Sequence, residues 1–78
     1  MTSTEIKNTL REGTFKFKYT KVDGTERTAT GTLNEGLLSD YGATPKGTGT
    51  EAAGVVNYFD TDVHGWRSFR AENFLEFM

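Results

Sequence analysis

The 78-residue sequence contains no cysteine, which excludes disulfides and thiolate metal sites as sources of stability and gives no sign of an oxidising compartment. No apolar run approaches the roughly 18 residues of a membrane span. The first residues, Met1-Thr2-Ser3-Thr4-Glu5, lack the basic and apolar regions of a signal peptide. The expectation is a soluble, cytoplasmic chain with no membrane partner. Positive charge is also in short supply: nine Lys and Arg against eleven Asp and Glu leave a formal net charge of -2 and a pI near 5.3. That balance argues against a strong sequence-independent nucleic-acid binder, whose affinity comes from accumulated Lys and Arg contacts to phosphate, but leaves room for a local basic face.

Catalytic equipment is equally scarce. The sole histidine, His64, stands in a polar turn beside Asp62 and Gly65, without the organised base and orienter that acid–base chemistry needs. There is no cysteine nucleophile, no Walker or dinucleotide motif, and no helical His/Glu pair to hold a metal. Asp60 and Asp62 with His64 could bind a cation weakly, but acidic turn residues commonly cap their own backbone. The expectation is no enzyme, no cofactor and no metal.

What is present fits one domain, 1–78, close to the size at which a single core barely suffices. Thr2-Ser3-Thr4, then Ile6 and Leu10 at i, i+4, then Gly13 predict a helix of about two turns within residues 1–12, too weakly apolar to stand alone and suited to lying across a sheet. Phe15, Phe17 and Tyr19 alternate with Lys16, Lys18 and Thr20, the period of a half-buried strand with an aromatic face and a basic one. A second strand runs from Glu26 to Leu33. A three-residue loop, Val22 to Gly24, with Gly24 left-handed, pairs Tyr19 with Arg27, Phe17 with Ala29 and Phe15 with Gly31, large opposite small. A two-residue turn would set the aromatics opposite threonines and waste that complementarity.

From Asn34 to Gly54 no apolar period is visible. The segment reads as a loop, its start tacked to the core by Leu37, Leu38 and Tyr41, with a flexible Gly/Thr-rich part over 42–54. Val55 to Asp60 and Trp66 to Arg70 form a second hairpin around a tip at Thr61 to His64, pairing Tyr58 with Arg67, Val56 with Phe69 and Phe59 with Trp66. Large residues then occupy both faces, as on a barrel wall with a partner outside or under a covering helix. Ala71 to Asn73 reads as one helical turn, and Phe74 to Met78 as a short closing strand or a packed tail. Five short strands with a leading helix make the chain mainly β, and closing that sheet into a barrel would remove its edges.

Lys21-Val22-Asp23-Gly24-Thr25-Glu26-Arg27-Thr28-Ala29-Thr30-Gly31-Thr32-Leu33, together with Tyr58-Phe59-Asp60, Gly65-Trp66-Arg67-Ser68-Phe69-Arg70 and Asn73-Phe74, resembles the WYL_2 family of small tailed-phage and bacterial proteins, described as an Sm-like SH3 β-barrel. The likeness covers roughly Phe15 to Leu75. It implies a small five-stranded SH3/Sm-like barrel of phage origin, and it implies no catalytic set. The likeness to ligand-sensing WYL domains in its name is analogy of fold only.

The candidate binding residues are Trp66, Arg67, Arg70 and Tyr58, followed by Lys16 and Lys18. Aromatic and Arg side chains dominate many binding surfaces, although Trp66 is expected to lie mainly in the core of so small a domain. The functional expectation is a non-enzymatic phage accessory protein that occupies a host protein, in host takeover or counter-defence such as inhibition of a toxin, nuclease or restriction factor. The alternative is an RNA- or DNA-binding regulator using Lys16 and Lys18, with Lys21 as a candidate third member, as a basic stripe with Trp66 and Tyr58 as stacking platforms. Exposed strand edges also invite homo-oligomers by strand addition.

Overall fold

A computed structural model of the chain describes residues 2–43 and 54–78. The first helix, α1 (Ser3–Leu10), begins at Thr2. The Thr2 hydroxyl accepts the Glu5 amide at 3.2 Å, and the Glu5 carboxylate accepts the Thr2 amide at 3.0 Å. This reciprocal cap satisfies two of the amides that every helix leaves free at its start. Ile6 and Leu10 are its buried residues, as their spacing predicts. At the other end, the Leu10 carbonyl accepts the amide of Leu33 and that of Gly13 accepts the hydroxyl of Thr32. These bonds fix the helix across the sheet and account for a fully buried threonine.

Strands β1 (Thr14–Thr20) and β2 (Glu26–Thr32) pair antiparallel with Tyr19 opposite Arg27, Phe17 opposite Ala29 and Phe15 opposite Gly31. That is the register of the three-residue loop. Lys21 and Thr25 still bond across it, and Gly24 has φ +89, a backbone that glycine adopts without penalty. Strands β3 (Val55–Asp60) and β4 (Gly65–Arg70) pair in the predicted register as well. After a single 3-10 turn at Ala71–Asn73, β5 (Phe74–Phe77) returns to the far side of β1.

The sheet order is β4-β3-β2-β1-β5. The expected closure is not found: among the described residues β4 and β5 are both edge strands, so the sheet is open. Its inner face and α1 enclose Ile6, Leu10, Phe17, Tyr19, Ala29, Val56, Tyr58 and Phe69, with Phe74 and Phe77 packed against them. Phe17 is the hub, with its ring centroid 5.1 Å from Tyr58, 5.6 Å from Phe69 and 6.1 Å from Phe77.

The segment after Asn34 holds a helix that the pattern did not predict: α2 (Glu35–Asp40), capped by the Asn34 side chain accepting the Leu37 amide. Its Leu38 is buried, and Tyr41 just beyond it stacks on Phe59 at 5.5 Å. The outer side of the second hairpin therefore has a cover, which explains why Phe59 is buried although it points away from the main core. Most of the loop expected to be flexible, 44–53, lies outside the described residues.

Candidate functional site

Between the turn that joins β1 and β2 and the edge of β4 lies a cleft of about 650 Å3. One wall is Tyr19 to Asp23 with Arg27. The other is Trp66 to Arg70, five consecutive residues, with Val55 and Asn73 at the ends. Consecutive residues of one strand can border the same cavity only if the cavity runs along that strand's edge, because neighbouring side chains point to opposite faces.

Arg27 is the best-held cation of this cleft. Its Nη2 donates to the Asp60 carboxylate at 2.8 Å, with Asp60 fully buried and the Arg27 side chain 28% exposed. The bond to Asp60 raises the Arg27 pKa against the opposing effect of burial, so the guanidinium is permanently charged. Its Nε is buried and finds no acceptor among the described residues. The other oxygen of Asp60 accepts the amides of Asp62 and Val63 at 2.9 and 3.2 Å, which shapes the β3–β4 turn. Asp60 thus locks three elements together, and its lone pairs are occupied by the fold.

Beneath this pair the hydroxyls of Tyr19 and Tyr58 meet at 2.9 Å. Burial, then the bond to Tyr19, drives the Tyr58 phenol far above its ordinary value. Tyr58 is therefore neutral and wholly enclosed, with no exposed surface. This removes it from the set of surface contacts in which the sequence placed it: the face it shares with Arg67 is the inner one, and the ring packs under Arg27 rather than beside the Arg67 head.

The remaining candidates separate into two places. Trp66, Arg67 and Arg70 all line the cleft. Trp66, expected mainly in the core, is partly exposed, its ring meeting Phe59 edge-on at 5.7 Å. Arg67 is exposed; Arg70 is 70% exposed and stands 3.9 Å from an equally open Glu72, a contact of little energetic consequence. Lys16 and Lys18 lie on the outer face of β1, away from the cleft. Lys18 stands opposite Thr28 on one side and Glu76 of β5 on the other, so the stripe is of mixed sign. Lys21, grouped with them in the sequence, belongs to the cleft instead, and so does Arg27, which the candidate set omitted. The available signal was the register itself, which puts Arg27 beside Tyr19 at the mouth of the inner face.

The family model described as WYL_2, Sm-like SH3 beta-barrel fold, matches residues 3–75. The chain belongs to the WYL_2 family. Neither a curated protein nor a solved structure matches it. The WYL_2 match runs from α1 into the start of β5, so every described residue that lines the cleft lies within it. No helix is long and apolar enough to cross a membrane among the described residues. Nor do three potential metal ligands gather anywhere among them.

Proposed function

We propose that this chain is a non-catalytic binding protein that acts by occupying a protein partner, a host factor if the chain is phage-encoded, through the cleft between the β1–β2 turn and β4. The observation that carries this reading is the segregation of charge. In a chain of net charge -2, the described residues of the cleft include Lys21, Arg67 and Arg70, with Arg27 already held by Asp60, against one carboxylate among them, Asp23, and set these cations beside the apolar faces of Val55, Phe69 and Trp66. Arg heads around a partly buried Trp are the composition of an interaction hot spot. An acidic surface on another protein is the complement of this face.

The nucleic-acid alternative loses support on two counts. Single-strand binders stack successive bases on several exposed aromatics, and with Tyr58 enclosed only Trp66 is left for that role at the cleft. The stripe of Lys16 and Lys18 is interrupted by Glu76, which opposes the phosphate contacts such binding requires.

Affinity capture from host-cell lysate, with and without nuclease, tests the reading. The expected result is a protein that is retained after nuclease treatment, is lost from an Arg67→Glu/Arg70→Glu variant and is kept by a Lys16→Glu/Lys18→Glu variant. Capture that disappears with nuclease and with the lysine reversals would establish nucleic acid as the partner instead.

A further inference from the structure

The cleft follows the free edge of β4, and that edge has its own chemistry. Ala71 donates its amide to the Gly54 carbonyl at 2.7 Å, which sets the phase of the β3–β4 ladder. Hydrogen bonds in an antiparallel pair alternate residue by residue, so Phe69 and Arg67 direct their backbone groups to β3. Trp66, Ser68 and Arg70 direct theirs outward. Among the described residues no strand pairs with that side. Among the described residues these three amides and three carbonyls are therefore an unused ladder along the cleft, across the gap from the turn that carries Lys21.

Resting on the protein-binding reading above, we propose that the partner enters as an extended acidic segment that adds a strand to β4, carboxylates directed inward and apolar side chains outward. Arg67 and Trp66, on opposite faces of β4, set that alternation, while Arg70 at the strand's end stands on the outer face with Trp66 and favours a carboxylate opposite it there. On the inner side an added residue meets Arg67, with Lys21 and Arg27 across the cleft; on the outer side it lies beside the partly exposed ring of Trp66. Backbone pairing supplies affinity without regard to sequence, and the alternate side chains supply selectivity. A second copy of this chain fits less well, since its own free edge strand, β5, offers one carboxylate, Glu76, among Phe74, Leu75 and Phe77.

The probe is an eight-residue peptide alternating Glu and Val, compared with its Lys/Val counterpart and with a Glu/Val peptide N-methylated at every second residue, which keeps the charge and removes the pairing amides. Binding is read by Trp66 fluorescence and by amide hydrogen exchange at Trp66, Ser68 and Arg70. The acidic peptide is expected to slow exchange at those three amides by about tenfold, with the Lys/Val and N-methylated peptides binding about tenfold more weakly. Ser68→Pro, which removes an amide not used by β3, is expected to weaken binding equally while retaining a cooperative melting transition. The proposal is overturned if the acidic peptide does not bind at millimolar concentration, if it binds without protecting these amides, if the basic peptide binds as well, or if protection follows protein concentration alone, which marks self-pairing. It is likewise overturned if a short oligothymidine protects the same amides more strongly than the acidic peptide. A captured protein that depends on Arg67 and Arg70 but is indifferent to Ser68→Pro refutes the added strand and leaves the protein-binding reading intact; indifference to both variants refutes that reading itself.

Discussion

Gly31 shows how much can rest on one missing methyl group. The ring of Tyr58 lies directly over it, and a Cβ built there would collide with Tyr58 Cδ2 and sit 3.1 Å from the Phe59 carbonyl oxygen. Neither neighbour can retreat, because Tyr58 is fully enclosed and the carbonyl belongs to β3. Gly31→Ala is therefore expected to cost about 1 to 3 kcal/mol, seen as a melting temperature lowered by roughly 4 to 8 °C per kcal/mol in a domain of this size. The same tyrosine gives the fold an alkaline limit. Burial and the Tyr19 hydroxyl hold the Tyr58 phenol neutral well past its usual range, whereas in the unfolded chain it ionises near pH ~10. Its contribution is whole below that pH and is lost as pH rises toward the folded value. Urea midpoints are expected to fall between about pH 9 and 11, and to fall less steeply in Tyr58→Phe; equal slopes would remove Tyr58 as the cause.

At the level of elements, Asp60 binds β2, β3 and the following turn through one carboxylate. Asp60→Ala would leave Arg27 without its partner and two turn amides without an acceptor, and is expected to cost about 3 to 5 kcal/mol, measured by equilibrium urea unfolding; a loss under 1 kcal/mol would show that the pair is dispensable. β5 is as consequential, since Phe74 and Phe77 close the open side of Phe17. Deletion of Phe74 to Met78 is expected to abolish the cooperative thermal transition, because whole domains hold only about 5 to 15 kcal/mol. Both hairpins were legible in the sequence because a turn of known length fixes every pair behind it, and alternation supplies the check. α2 was not, since six residues containing Gly36 and two adjacent leucines carry no helical period; Asn34 as a cap was the one signal. The binding face was legible only in part. Alternation assigns Tyr58 and Trp66 to opposite faces of β3 and β4, but with bulky residues on both it cannot say which face is enclosed. That is decided by where α1 and β5 pack, and so is the failure of the sheet to close.

Across the whole molecule, charge and shape coincide. The outer face of β1 mixes Lys16 and Lys18 with Glu26 and Glu76 around threonines, so its field cancels within a few ångströms, whereas Lys21, Arg67 and Arg70 surround a concave space bounded by low-dielectric walls. Fields add in a cleft and cancel on a mixed surface. An acidic partner should therefore be steered to this one end of the molecule, and its association should be sensitive to salt over the range in which the Debye length shrinks from about 30 Å at 0.01 M to about 10 Å at 0.1 M. In stopped-flow measurements using Trp66 fluorescence with the acidic peptide, the association rate is expected to drop by about tenfold over that range, with dissociation little changed. Reversing Lys16 and Lys18 should leave that dependence in place, and reversing Arg67 and Arg70 should flatten it. If the lysine reversals flatten it as strongly, the attraction comes from net charge spread over the surface and the cleft has no privileged field.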